Sequence, residues 1–232
     1  MRNATGQEQL LCTLRHLIVD MDGVLYRGSQ AIPGVGGFVG FLRQRTIPFV
    51  LATNNSTMTP KQYVGKLAGM GVTVHTQEIL TSSQATAGYL AGITSPGTRI
   101  FVVGQNGLRT ALVDAGFVLV ENDAEFVVVG MDPSACYEHL AQASLLIRGG
   151  AQFVGTNPDP TFPSERGIVP GAGSLLAFLE TATDIKPAVI GKPGTAMMKL
   201  ALAQMAAPIP MGAHQNGSAH QNGSAHQNGS AH

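Results

Sequence analysis

The chain has 232 residues, 44% hydrophobic and 12% charged, with fourteen basic and fourteen acidic side chains and a formal net charge of +0. That is enough apolar material for one large domain or two small ones. A neutral chain without a Lys/Arg cluster has no electrostatic footprint for nucleic acid or an anionic membrane surface. The two cysteines, Cys12 and Cys136, lie far apart in no metal-ligand spacing and read as free thiols of a reducing compartment. MRNATGQEQLL lacks the basic stretch and apolar run of a signal peptide. No uncharged apolar run approaches the roughly twenty residues a spanning helix needs. The expectation is a soluble, cytoplasmic protein.

In chain order, a first strand is predicted over Leu14–Val19, running into Asp20 and Asp22. GVLYRGSQAIPG reads as an extended flap or hairpin. A helix follows over Val35–Arg45, with Phe38, Phe41 and Leu42 spaced for one face. Phe49–Ala52 is a second strand leading into TNNST. Thr59 then caps a helix with Pro60 at its first position and Tyr63, Val64 and Leu67 on one face, stopping at Gly69–Gly71. This β-flap-α-β-α order opens a parallel α/β sheet. RIFVVG, LRTALVDAG, EFVVVGMD, SACYEHLAQASLLIRGG, AQFVGTNPD and GAGSLLAFLETAT continue the strand–helix alternation as a second α/β unit over 80–183. VIGKPGTAMMKLALAQM returns with a strand end, a loop and a helix. From Gly212 the chain repeats AHQNGS, carrying His214, His220, His226 and His232. Such a segment cannot bury enough surface to offset its ordering entropy, so 208–232 is expected to be a disordered, low-complexity tail.

Ligands of open α/β sheets bind beyond the carboxyl ends of the strands. Three polar clusters fall there: Asp20-Met21-Asp22-Gly23, Thr53-Asn54-Asn55-Ser56 and Gly191-Lys192-Pro193. Two carboxylates, a hydroxyl beside free backbone N–H groups and an ammonium suit phosphoryl chemistry. One acid attacks, the other moves a proton, and the donors and cation hold phosphate oxygens. Mg²⁺ would relieve the repulsion between acids and phosphate. Each cluster alone also reads as a plain turn or helix cap.

DMDGVLYRG, ATNNST and IGKP, in that order, resemble the haloacid dehalogenase-like (HAD) hydrolases, in particular the para-nitrophenylphosphatase and phosphoglycolate-phosphatase branch. The resemblance runs over about Arg15–Ala207 and implies a Rossmann-like parallel-sheet core over 14–79 and 184–207, with an α/β cap inserted at 80–183. It implies Asp20 as the nucleophile that forms an aspartyl-phosphate and Asp22 as general acid and base. Mg²⁺ would rest on the Asp20 carboxylate and the Asp22 main-chain carbonyl. Thr53 and the backbone at Asn54 and Asn55 would hold phosphoryl oxygens, and Lys192 would neutralise nucleophile and phosphate. Asn157 and Asp159, in the cap's GTNPDPTFP, would face the leaving group, although Asn157-Pro158-Asp159-Pro160 also reads as a rigid turn. The partner is a small phosphorylated metabolite, with homodimerisation a family expectation. The family's fourth, acidic motif is not found: after Asp184 there is no Asp or Glu. The core is therefore expected to be incomplete at its C-terminal side, the metal to lack its usual further acids, and the first strand to keep an open edge. Two readings follow: a Mg²⁺-dependent phosphatase of small phosphomonoesters, or an impaired homologue that binds phosphate or a partner, or a non-functional fragment. A dinucleotide-binding oxidoreductase is disfavoured, because GVGGFVG has Val39 where the third glycine belongs and follows a flap instead of a strand.

Overall fold

The computed structural model describes residues 14–164 and 166–206. Cys12 and the AHQNGS tail lie outside the described residues. The first sheet is parallel, in the order β1 (Leu17–Asp20), β4 (Phe49–Thr53), β5 (Ile79–Thr81). β4 is its central strand and is buried along all five residues, as an uninterrupted apolar run demands. Between β1 and β4 the flap is a short hairpin, β2 (Tyr26–Arg27) and β3 (Gln30–Ala31), turning at Gly28 with φ 58°. Helix α1 (Val35–Gln44) follows.

The face of α1 differs from the predicted one. Val35, Val39 and Leu42 are buried, whereas Phe38 is 38% and Phe41 49% exposed, with the Arg45 guanidinium 5.5 Å from the Phe41 ring centre. The helix carries two apolar stripes that share Leu42, and the aliphatic one packs. Helix α2 (Pro60–Gly69) forms as its sequence dictates. The Thr59 hydroxyl accepts from the Gln62 N–H, the Gln62 side chain returns to the Thr59 N–H, and Tyr63 and Leu67 face inward.

The second sheet has five parallel strands in the order β12 (Ala188–Val189), β9 (Gln152–Gly155), β8 (Phe126–Val129), β6 (Arg99–Val103), β7 (Val118–Leu119). Helices α4 (Asn106–Asp114), α5 (Tyr137–Arg148) and α6 (Ala172–Thr183) connect them. An antiparallel hairpin, β10 (Thr161–Ser164) and β11 (Gly167–Pro170), leaves the end of β9. Ala188–Val189, read from sequence as the start of the returning core segment, pairs instead with Val154–Gly155. The chain crosses back only at Ile190–Lys192, before the last described helix, α7 (Thr195–Ala206).

Helix α3 (Ser82–Ala91) escapes the sequence reading. It is buried nearly all round and so shows no amphipathic period. It joins the two sheets: one hydrophobic cluster holds Val50 and Ala52 of β4, Leu80, Ala87 and Leu90, Ile100, Val128 and Val154 of the second sheet, and Met197 and Ala201 of α7. Among the described residues no helix is long and apolar enough to cross a membrane.

Candidate functional site

Past β1 the backbone turns sharply. The Val24 and Leu25 N–H groups donate to the Met21 carbonyl, and Gly23 takes φ 79°. Met21 is thereby buried, while Asp20 and Asp22, one residue either side, come to the carboxyl end of the sheet. Asp20 is half exposed, and its Oδ1 accepts from the Met21 N–H at 2.8 Å and from the Lys192 ammonium at 2.5 Å. Lys192 Nζ also donates to the Ala52 carbonyl at 3.1 Å. The Thr53 hydroxyl, at the end of β4, donates to Asp22 Oδ2 at 2.8 Å and accepts the Asn55 N–H at 3.0 Å. The Asn55 side chain closes a turn by accepting from the Thr57 N–H and hydroxyl.

From the second sheet, Asn157 and Asp159 follow β9. Asn157 is buried, its amide donating to the Asn54 carbonyl at 2.7 Å and the Thr156 hydroxyl at 3.1 Å, and its Oδ1 accepting the Asp159 N–H. Asp159 meets the Asn54 amide, with the shorter contact at 3.0 Å. All eight residues singled out from sequence therefore line one cleft of about 520 Å³, which Met131, Phe162 and Pro163 border with apolar surface.

The sequence reading missed what lies behind it. The Ser82 and Ser83 hydroxyls, at the start of α3, donate to the Asn54 and Ser56 carbonyls at 2.6 and 3.0 Å and so anchor the loop after β4. The Thr81…Gln84 capping box was the local signal for that helix. Behind Asp22 sit the buried rings of Tyr26 and Tyr63, whose hydroxyls have no hydrogen-bond partner among the described residues. Burial and the nearby Asp22 charge push both phenols well above their ordinary range. Lys66 lies 3.9 Å from the Tyr26 ring centre, held below its ordinary pKa by burial, with the Asp22 charge opposing that shift.

The cleft holds three carboxylates, Asp20, Asp22 and Asp159, against the single ammonium of Lys192. A phosphate would add further negative charge, and the hard oxygen donors of Asp20 and Asp22 suit a small divalent cation. No group of three or more His, Cys, Asp or Glu side chains assembles into a metal site among the described residues. An ion here would draw the rest of its shell from water and substrate, as Mg²⁺ commonly does.

The family profile described as haloacid dehalogenase-like hydrolase matches residues 17–118. An acid sugar phosphatase of Staphylococcus epidermidis is 40% identical over 187 residues, which are 80% of this chain and 71% of that protein. The chain belongs to the haloacid dehalogenase-like hydrolases. Within them it is of the para-nitrophenylphosphatase type. A 4-nitrophenylphosphatase structure from Thermotoga maritima matches with a TM-score of 0.79 and 35% identity, over 84% of this chain and 75% of that one. A glycerol phosphate phosphatase from Mycobacterium tuberculosis, in complex with magnesium, matches with a TM-score of 0.77 and 35% identity, over 82% of this chain and 58% of that one.

Proposed function

We propose that the chain hydrolyses small phosphomonoesters, sugar phosphates among them, through a phosphoryl group carried on Asp20. The observation that carries this reading is the 2.5 Å contact of Lys192 with Asp20 in the same cleft as the Thr53–Asp22 pair. The names of the relatives, an acid sugar phosphatase and a glycerol phosphate phosphatase, support it.

An Asp20 carboxylate oxygen attacks phosphorus as the ester P–O bond breaks, leaving an aspartyl-phosphate. Asp22, carrying a proton, gives it to the departing alkoxide. It then takes a proton from the water that attacks the same phosphorus, releasing phosphate and restoring Asp20. The Thr53 hydroxyl holds Asp22 Oδ2, which leaves Oδ1 for the proton. Lys192 offsets charge on Asp20 and on the phosphoryl oxygens. The Asp20 carboxylate and the Asp22 main-chain carbonyl would hold Mg²⁺, which when bound supplies neutralisation of the phosphoryl charge. Asp159 and the apolar wall of Met131 and Phe162 bound the space for the leaving group.

Incubation of the purified chain with para-nitrophenyl phosphate and a panel of sugar phosphates in millimolar Mg²⁺ should release inorganic phosphate, and Asp20→Asn should abolish it. No release by the unaltered chain would overturn the proposal.

A second reading is phosphate binding without turnover, for which the Lys192 ammonium and the Thr53 hydroxyl in the cleft supply the donors. Titration calorimetry with inorganic phosphate separates the two. Binding that is indifferent to Mg²⁺, with no hydrolysis, selects the binder.

A further inference from the structure

One side chain links the two banks of the cleft. Asn54 Nδ2 donates to Asp159 Oδ1 and Oδ2 at 3.3 and 3.0 Å and to the Lys192 carbonyl at 3.0 Å, and its Oδ1 accepts the Lys192 N–H at 2.8 Å. Its side-chain amide thus grips the Lys192 main chain on both donor and acceptor, as a neighbouring strand would. Its own carbonyl is fixed by the Ser82 hydroxyl at 2.6 Å and the Asn157 amide at 2.7 Å. Both polar atoms of the side chain are engaged within the protein. The residue before the lysine shows how closely the parts fit. A Cβ on Gly191 would lie 2.8 Å from Asn54 Oδ1 and 2.5 Å from the Thr156 carbonyl, distances that real Cβ atoms do not adopt.

Lys192 leaves the second sheet, yet its ammonium must reach Asp20 on the first. Its tip has only Asp20 and the Ala52 carbonyl as hydrogen-bond partners among the described residues. A long flexible side chain reaches a fixed point reproducibly only if its main chain is itself fixed. We infer that Asn54 is a positioning residue: it sets the Lys192 main chain so that the ammonium meets Asp20, and it ties that setting to the Asp159 loop of the second sheet. Whatever shifts the Asp159 loop, an occupying leaving group included, is then felt at the catalytic cation.

The inference rests on the phosphatase reading for its consequence but not for its geometry, and the test separates the two. Amide exchange read by NMR on the full chain requires no activity. Asn54→Ala should speed exchange of the Lys192 N–H by at least about tenfold while the global melt stays cooperative. Unchanged exchange would overturn the bracket. In turnover of para-nitrophenyl phosphate, Asn54→Ala should lower kcat/KM by about a hundredfold. Added to Lys192→Ala, it should cost less than about threefold more, because both act through one group. Fully additive losses would make Asn54 a mere structural staple and overturn the inference. Asn54→Asp sets carboxylate against carboxylate, and pairing it with Asp159→Asn should recover at least about tenfold; no recovery would sever the proposed tie to the loop. If Asn54→Ala does not fold, Asn54→Ser takes its place in each arm. An unaltered chain that turns nothing over while the exchange prediction holds would sink the phosphatase reading and leave the bracket standing.

Discussion

Tyr26 and Tyr63 bury phenolic hydroxyls that meet no partner among the described residues, and the sequence carries no sign of it. Burial and the nearby Asp22 charge disfavour the ionised form of each phenol. The pH dependence has a definite sign. Both phenols ionise above their ordinary pKa of 10.0, so the folded state keeps protons that the unfolded chain gives up. Their share of stability is whole below pH 10 and is lost as pH rises beyond it, by about 1.4 kcal/mol per pH unit for each phenol. Urea midpoints between pH 9 and 11 should fall less steeply in Tyr63→Phe than in the unaltered chain; equal slopes would refute the assignment. At this scale the grouping of the polar residues was legible. Asp20, Asp22, Thr53 and Lys192 stand in short polar words at strand ends, and the structure brings them into one cleft. The supporting partners were not legible, because Asn54 finds Lys192 at a separation of 138 residues and no local pattern encodes that.

Among the elements, those with strong local chemistry formed where the sequence placed them. Helix α2 has proline at its start and a reciprocal Thr59–Gln62 cap. Thr59→Ala should cost about 1 kcal/mol, read as a lower urea midpoint at unchanged slope. Thr59→Ser should restore most of it. Elements whose surroundings, not their own pattern, decide their state were hidden. Helix α3 is enclosed on most sides and, apart from its Thr81–Gln84 cap, has no amphipathic pattern to betray it. The hairpin strands β10 and β11 contain Pro163 and Pro170, and proline inside a short run argues against a strand. In α1 two apolar stripes competed, and only packing against the first sheet chose between them.

For the whole molecule, the alternation of strands and helices was enough to anticipate two parallel α/β units, but not how closely they are joined. The boundary read from sequence lies before Ala188, while the pairing of β12 with β9 carries the second sheet past it. More consequentially, α3 and α7 fill a single core that touches both sheets, with Leu90 fully buried inside it. Such a shared core leaves neither sheet able to melt without exposing the apolar face of the other. Differential scanning calorimetry should therefore record one transition whose calorimetric and van't Hoff enthalpies agree. Two separable peaks would mean that the sheets unfold independently. Leu90→Ala should lower that single transition by about 2–5 kcal/mol in stability without splitting it.

The position of β1 has its own corollary. Among the described strands it borders β4 alone, so Asp20 rides on the margin of its sheet. Main-chain groups on the flank away from β4 meet no other strand among the described residues. Were a strand to pair there, it would stiffen the backbone that carries Asp20, the nucleophile we propose, and would act on the site without entering the cleft.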